Sequence, residues 1–453
     1  MGTSTKTETD ENREEWRYKM KKRRMRIMAC VLCASMSLGM LAGCGSKEDS
    51  GDGGSGEKVT LTLAASQNWI TDVDRELAEA FEEETGIAID FQLSPDDQYQ
   101  TIVKSKLNTG EGPDIFMSYS GTKLRDFNPE KNMVDLSDEE WVSKLEDWAI
   151  DGSSYNGKLY AQNTAGTDAT NAILYKPALF EELGIEVPTT YEEFTAVCDT
   201  LQENGITPIY EFVKDLWHTH YWMEGASALA LQRDPELYDK LNTNEIGFAD
   251  VPEYVTAMEQ LKEMEAAGYF GENHMSNIYD NSYAALNDEE YGMIINSGAY
   301  PNEMDQNLDN ADPEEWSAFP SPLVDNQYVT LTAGGTTKCI NANSEYVEEA
   351  KQYFDFLAED ENLEKLYSEK PLYVSSSMKG IEASPTRAYT DVNERSAGQA
   401  LGAEASVLFY DGNKISELCQ EMFVGSLTPE QVLEEFDSHR RALAKDAGQE
   451  GFE

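Results

Sequence analysis

The chain has 453 residues, 26% of them charged, and a formal net charge of -50 at pH 7. So acidic a surface repels nucleic acid, whose binding needs basic patches, and 40% apolar residues is normal for a soluble globular protein. The acids are spread along the chain, so they describe a solvated surface and say little about a ligand.

Residues 1–18 are polar, and Met20 or Met25 would begin a better leader. Lys21, Lys22, Arg23, Arg24 and Arg26 form a basic region, followed by an apolar run from Ile27 to Met40 that is short for a bilayer span. It ends in Leu41-Ala42-Gly43-Cys44, which matches the bacterial lipobox. The expectation is a lipid on Cys44, removal of residues 1–43, and a flexible Gly/Ser/Asp/Glu tether over 44–57. The leader holds nine Lys/Arg and five Asp/Glu, so its loss takes the formal charge from -50 to -54. Cys30 and Cys33 leave with it. Cys198, Cys339 and Cys419 remain, far apart and odd in number, which implies no disulfide framework.

From Lys58 the remaining chain is long enough for two domains. Val59–Leu63 alternates as a strand. Ile70, Val73, Leu77 and Phe81 recur at helical spacing, and Gly86 stops that helix. Ile87, Ile89, Phe91 and Leu93 alternate again. A helix over Tyr99–Asn108, a turn at Gly110–Pro113 and a strand from Asp114 complete a βαβαβ unit with a parallel sheet. Between Tyr160 and Tyr175 the chain is polar and rich in small residues, bracketed by apolar pairs, as where it leaves one packed layer for another. A short helix (Pro177–Leu183) then stops at Gly184. Thr190 and Glu193 form a capping box for a helix whose stripe is Phe194, Val197 and Leu201. A strand over Thr207–Phe212, an aromatic run Trp217–Trp222, and a helical region over Phe248–Tyr269 follow. Beyond them come a strand and glycine loop at Thr330–Gly335, a helix opened by Ser344, and a terminal helix after Thr428.

Several of these stretches resemble extracellular solute-binding proteins of ABC importers, in the carbohydrate-binding branch that includes maltose-binding protein. The run from Leu174 to Phe194, LYKPALFEELGIEVPTTYEEF, is similar to a "YNK-x-LF-x-x-x-GI-x-x-P-x-TW-x-E" segment, with Lys176-Pro177 where the family has Asn-Lys. Thr109–Phe116 reproduces "TG-x-x-PDIF". Tyr291–Tyr300 resembles a "GSW" segment with Tyr300 in place of Trp, and Thr428–Leu433 resembles a C-terminal "T-x-EEAL" helix. The resemblance implies an α/β, two-lobe periplasmic-binding-protein-like fold of type II, with parallel or mixed sheets flanked by helices and a ligand cleft between the lobes. It implies crossings near Gly166–Asn171, Asp325–Tyr328 and Lys370–Tyr373. One lobe would then comprise 58–168 and 328–371, the other 169–327 and 372–453. It further implies a monomer with a carbohydrate ligand and permease subunits as partners, and no cofactor.

Sugars present C–H faces to aromatic rings and hydroxyls to fixed polar groups. The ligand-binding candidates are therefore aromatics, amides and small polar residues in loops that follow strands. They are Gln67, Asn68 and Trp69 after the first strand; Ser118 and Tyr119 after the third; Gln162, Asn163 and Asp168 in the first crossing; and Trp217, Tyr221 and Trp222, of which one is expected to bind. Tyr300 sits at the "GSW" aromatic, Gly334 and Gly335 offer backbone amides, and Tyr410 stands in a late loop. For each, ordinary packing is the competing reading. Catalytic signatures are missing: there is no G-x-S-x-G elbow, glycine-rich phosphate loop or zinc-ligand spacing. His218 and His220 would share a face only on a strand, which leaves a metal site open there. Carboxylate pairs are too abundant to mean anything by adjacency. The expected function is capture of a sugar, in particular an oligosaccharide, outside a Gram-positive-type cell for an ABC permease. A non-sugar solute such as a peptide or polyamine, and a glycan-degrading enzyme, are the alternatives.

Overall fold

Alternation and glycine stops put the first elements where the sequence predicts them. In chain order these are β1 (Thr60–Ser66), α1 (Asp72–Thr85), β2 (Ala88–Ser94), α2 (Asp96–Thr109) and β3 (Ile115–Tyr119). Gly86 and Gly110, both left-handed at φ 78°, close the two helices. The computed structural model describes residues 59–452, except 169–170, 333–334 and 371. Cys44 with its leader and tether, and Gly334, lie outside the described residues. Among the described residues no helix is long and apolar enough to cross a membrane.

The chain continues through β4 (Gln162–Asn163), β5 (Ala172–Tyr175), α3 (Pro177–Leu183), α4 (Tyr191–Glu203), β6 (Thr207–Ile209), α5 (Tyr221–Arg233), α6 (Pro252–Ala266), β7 (Tyr291–Asn296), β8 (Ser317–Pro320), β9 (Val329–Leu331) and β10 (Thr336–Ile340). After these come α7 (Val347–Leu357), α8 (Asp360–Glu369), α9 (Arg387–Arg395), β11 (Gln399–Leu401), α10 (Ala403–Ser406), α11 (Gly412–Phe423) and α12 (Pro429–Asp446). At α4, the Thr190 side chain accepts the Glu193 N–H as a cap should. The Glu193 carboxylate, however, returns to the Thr189 N–H (2.8 Å) and hydroxyl rather than to Thr190.

Two sheets carry the fold. The first runs β2-β1-β3-β10-β4, with β2, β1 and β3 parallel and β10 antiparallel to both its neighbours. The second runs β8-β5-β7-β6. Both sheets pack against apolar cores on their two faces. In β1, Leu61, Leu63 and Ala65 enter one core and Ala64 the other. In β5, Ile173 and Tyr175 face one core, Ala172 and Leu174 the opposite one. This is the two-lobe, mixed α/β type II architecture.

The crossing segments lie side by side. The Ser375 hydroxyl donates to the Thr167 carbonyl (2.8 Å), and the Thr332 N–H to the Asp168 carbonyl (2.9 Å). A Cβ on Gly166 would stand 1.9 Å from the Ser375 carbonyl oxygen, so only glycine fits where the first and third segments touch. Two crossings fall later than expected. β9 pairs with β11, and Val329 lies in a core of the second sheet, so the chain joins the first sheet only at Thr336, not at Tyr328. Tyr373 and Met378 belong to the first sheet's core, Met378 bridges Leu145, and the next second-lobe core residue is Ala388. An apolar anchor at Met378 thus keeps the chain in the first lobe beyond Pro371.

Candidate functional site

β1 ends at Ser66, and the chain turns through a 3-10 helix, Gln67–Trp69. Gln67 and Asn68 are exposed; Trp69 is half-buried. The Trp69 ring stands edge-on to Tyr99 (5.1 Å between centroids) and to Tyr119 (5.0 Å). Tyr99 is fixed, its hydroxyl donating to the Met117 carbonyl (2.6 Å) and accepting the Met117 N–H (3.0 Å). Tyr119, the last residue of β3, is 40% exposed. Trp69 and Tyr119 therefore form a rigid aromatic wall on the first lobe. It is tied down from behind by Lys370, whose ammonium donates to the Trp69 carbonyl (3.0 Å) and to Asp74 (2.9 Å). Burial works to raise the Asp74 carboxyl, but Lys370 and Lys338 outweigh it and hold it below its ordinary value.

A second aromatic group lies in the loop between β6 and α5. Its frame is the fully buried Glu211. The Glu211 carboxylate accepts from His218 Nδ1 (3.0 Å), the Thr219 hydroxyl (2.9 Å) and Trp222 Nε1 (2.8 Å), while His218 Nε2 donates to the Ile295 carbonyl (2.6 Å). Burial works to raise the Glu211 carboxyl; His218 and the donors from Trp222 and Thr219 outweigh it. His218 and His220 lie on neither helix nor strand and turn to separate partners: His220 meets the Tyr410 hydroxyl (3.3 Å) and Glu404 (3.8 Å). The half-buried Trp217 stands edge-on to Tyr221 (6.0 Å) and Tyr279 (5.1 Å). Burial pushes the Tyr221 hydroxyl well above the usual phenol range, and Glu404, Tyr119, Asp168 and Glu303 push the same way.

Asp168, in the first crossing, accepts from the Ser297 hydroxyl, and its N–H donates to the Thr332 hydroxyl (3.1 Å). A Cβ on Gly298 would come within 3.2 Å of Asp168 and 3.1 Å of Tyr389, which ties the loop after β7 to both. Tyr389 also lines an open cavity of about 590 Å³ with Val374, Ser375, Ile381 and Asn393, beside the third crossing. Finally, the lobes touch directly. The Lys123 ammonium donates to the Tyr410 carbonyl (3.0 Å), and the Thr122 hydroxyl to the Glu404 carbonyl (3.3 Å).

Of the expected site residues, the structure sets Trp69 against Tyr119 and Trp217 against Tyr221, ties Asp168 to Ser297 and Thr332, and leaves Gln67 and Asn68 exposed beside Trp69. Others are drawn into packing. Gln162 is fully buried and donates to the Phe354 carbonyl (2.8 Å); Asn163, also fully buried, accepts the Ala165 N–H (3.0 Å). Ser118 is buried, its hydroxyl bonded to the Tyr119 carbonyl (3.0 Å). Trp222 lies in a second-lobe core, spent on Glu211. Tyr300 is fully buried, stacked on Tyr283 (5.5 Å) with its hydroxyl on Ser282 (2.6 Å). Tyr410 is buried, and it is its carbonyl that faces the other lobe. The Gly335 carbonyl accepts the Ser120 N–H (3.0 Å), so that backbone steadies the loop after β3. Residues the sequence reading missed are Thr122, Lys123, Ser297, Tyr389 and Glu404. Ser297 precedes Gly298 in a recognisable loop, which is a signal; Lys123 and Glu404 carry none among so many charged residues.

A profile of the family described as bacterial extracellular solute-binding protein matches residues 68–364. The alpha-glucosides-binding periplasmic protein AglE of Rhizobium meliloti (strain 1021) is 29% identical over 208 residues, 43% of this chain and 43% of that protein. The melibiose/raffinose/stachyose-binding protein MelE of Bacillus subtilis (strain 168) is 27% identical over 187 residues, 40% of this chain and 42% of that one. The match thus spans well under half the length of either relative. Among solved structures, a chitin oligosaccharide binding protein superposes with a TM-score of 0.72 at 16% identity, covering 85% of this chain and 100% of that one. A sugar transporter from Bacillus licheniformis in complex with stachyose gives 0.65 at 20% identity, covering 84% and 98%. At those identities the structures attest the fold. The family profile goes further, taking in most of both lobes: the chain belongs to the bacterial extracellular solute-binding proteins.

Proposed function

We propose that the protein captures a carbohydrate, in particular an oligosaccharide, between its lobes and delivers it to the permease of an ABC importer. It does no chemistry on the ligand. In this reading Cys44 carries the lipid that anchors it outside a Gram-positive-type cell, and it works as a monomer. What supports the reading is an aromatic pair on each lobe, Trp69 with Tyr119 and Trp217 with Tyr221, and the Asp168 carboxylate in the first crossing. Rings offer faces for sugar C–H groups, and a fixed carboxylate takes hydroxyls in directed bonds. The relatives AglE and MelE, named for α-glucosides and for melibiose, raffinose and stachyose, support the same class. The Asp168 carboxylate would also suit a cationic solute such as a polyamine; an aromatic pair on each lobe favours the sugar.

Uptake tests the reading. Deleting the gene should abolish import of one labelled glycan family, raffinose and stachyose being the first to try, and re-expression should restore it. Cys44→Ser should release the protein into the medium. Unchanged import of every glycan tried, with lost import of a peptide or polyamine, would overturn the sugar.

A further inference from the structure

We propose that Thr122 and Lys123 are a latch that holds the two lobes closed without touching the captured solute. The latch begins on a rigid base. Both residues lie in the 3-10 helix Gly121–Phe127, and Leu124 and Phe127 bury that helix in a first-lobe core with Phe116 and Tyr99. Their side chains reach the second lobe. Lys123 Nζ lies 3.0 Å from the Tyr410 carbonyl and 4.0 Å from Glu404 Oε1, and Thr122 Oγ1 lies 3.3 Å from the Glu404 carbonyl.

The receiving segment is equally fixed. Helix α10 has only four residues: the Ala403 carbonyl takes the Val407 N–H (2.7 Å), whereas the Glu404 carbonyl takes its donor from the other lobe. At the start of α10, the buried Glu224 carboxylate accepts the N–H groups of Ala403 and Glu404, both at 2.9 Å. At its end, Asn242 donates to the Ser406 carbonyl (3.1 Å) and accepts the Leu408 N–H (2.7 Å). The Phe409 backbone is left-handed at φ 58°. For a bulky residue that conformation persists only where surrounding contacts impose it. It stands immediately before the Tyr410 carbonyl that Lys123 holds.

A donor on one lobe and an acceptor on the other favour only the closed arrangement, because opening the hinge parts them. The ammonium makes the stronger, charge-assisted bond; its side chain is 26% exposed, so water weakens without abolishing it. Loss of one such bond corresponds to about a tenfold change in the closed-to-open ratio. A solute that binds the closed form would lose apparent affinity in the same proportion. Thr122 and Lys123 are thus positioning residues for capture.

The test needs no ligand. Small-angle X-ray scattering of the ligand-free protein, fitted to closed and open forms, is compared for wild type, Lys123→Met and Lys123→Arg. A control, Lys104→Met, removes a lysine paired with Asp126 in the same lobe (3.2 Å). The expected result is a closed-to-open ratio about tenfold lower in Lys123→Met, near wild type in Lys123→Arg, and unchanged in Lys104→Met. Thr122→Val, which leaves the ammonium in place, should shift the ratio in the same direction by less, and it supplies the test if Lys123→Met does not fold. Wild-type scattering from Lys123→Met, or an equal shift in Lys104→Met, would overturn the latch while leaving the sugar reading untouched.

Discussion

Replacing Glu211 with Ala should be among the most damaging single substitutions in the second lobe. Its carboxylate is the common acceptor for His218, Thr219 and Trp222, all within 3.0 Å. The side chain is fully buried, so water cannot take its place. Removing one partner of a buried charged pair costs about 3–5 kcal/mol, because the remaining groups stay desolvated without an acceptor. Glu211→Gln keeps one acceptor oxygen but turns an NH2 against at least one donor, so about 2–3 kcal/mol is expected there. Urea unfolding measures both, read as a shift of midpoint at constant slope. Glu211→Ala combined with His218→Ala should cost less than the two singles added, since the second change removes a donor already stranded. The folded carboxyl is held below its ordinary value, so its contribution is present above the unfolded pKa and is lost as pH falls through the folded one. A loss under about 1 kcal/mol in Glu211→Ala, or full additivity with His218→Ala, would refute the reasoning.

Three further expectations concern the lobe junction and the cleft. Burial, then the Glu404 charge, pushes the Glu224 carboxyl from an ordinary 4.5 up to about 7. The folded state therefore holds a proton the unfolded state has lost. That contribution to stability is fully present below about 4.5 and disappears as pH rises through about 7, roughly 3 kcal/mol in all. Glu224→Gln should flatten the dependence between pH 5 and 8 in denaturant titrations, and an unchanged slope would contradict the assignment. Trp69→Ala and Tyr221→Ala should each weaken glycan binding by about 1–2 kcal/mol in calorimetry. Trp222→Ala should instead lower stability by about 3–5 kcal/mol, because it empties a core. With the Asp168 carboxylate in the first crossing, a glycan carboxylate placed about 6 Å from it would meet about 3 kcal/mol of repulsion at an effective dielectric near 20. Uronate oligosaccharides should thus bind on the order of a hundredfold more weakly than their neutral counterparts; equal affinities would contradict that placement.

Local chemistry made much of the fold legible. Gly86, Gly110 and Gly184 stop helices because each takes a left-handed conformation there. Thr190 opens a helix because its hydroxyl receives the Glu193 N–H. The candidate site was legible at strand ends: Tyr119 is the last residue of β3, and Trp69 lies in the short turn that follows β1. It was not legible where strand and loop look alike. Gln162 and Asn163 form a two-residue strand, too short to alternate, and pairing with Thr337 and Lys338 buries them. The run Trp217–Trp222 could not be sorted by periodicity because its helix begins only at Tyr221; Trp217 lies in the preceding loop, and Glu211 draws Trp222 inward. Lys123 and Glu404 meet although they are 281 apart in residue number (404 minus 123), and no local pattern records such a contact.

The central claim is capture of an unmodified glycan. The most direct measurement is a thermal-shift screen of the protein against mono-, di- and oligosaccharides, with amino acids, peptides and polyamines alongside. A ligand that binds only the folded state raises its melting temperature. The account predicts a rise with one family of glycans and recovery of that glycan intact. A rise only with a peptide, amino acid or polyamine, or recovery of a cleaved glycan, would contradict it.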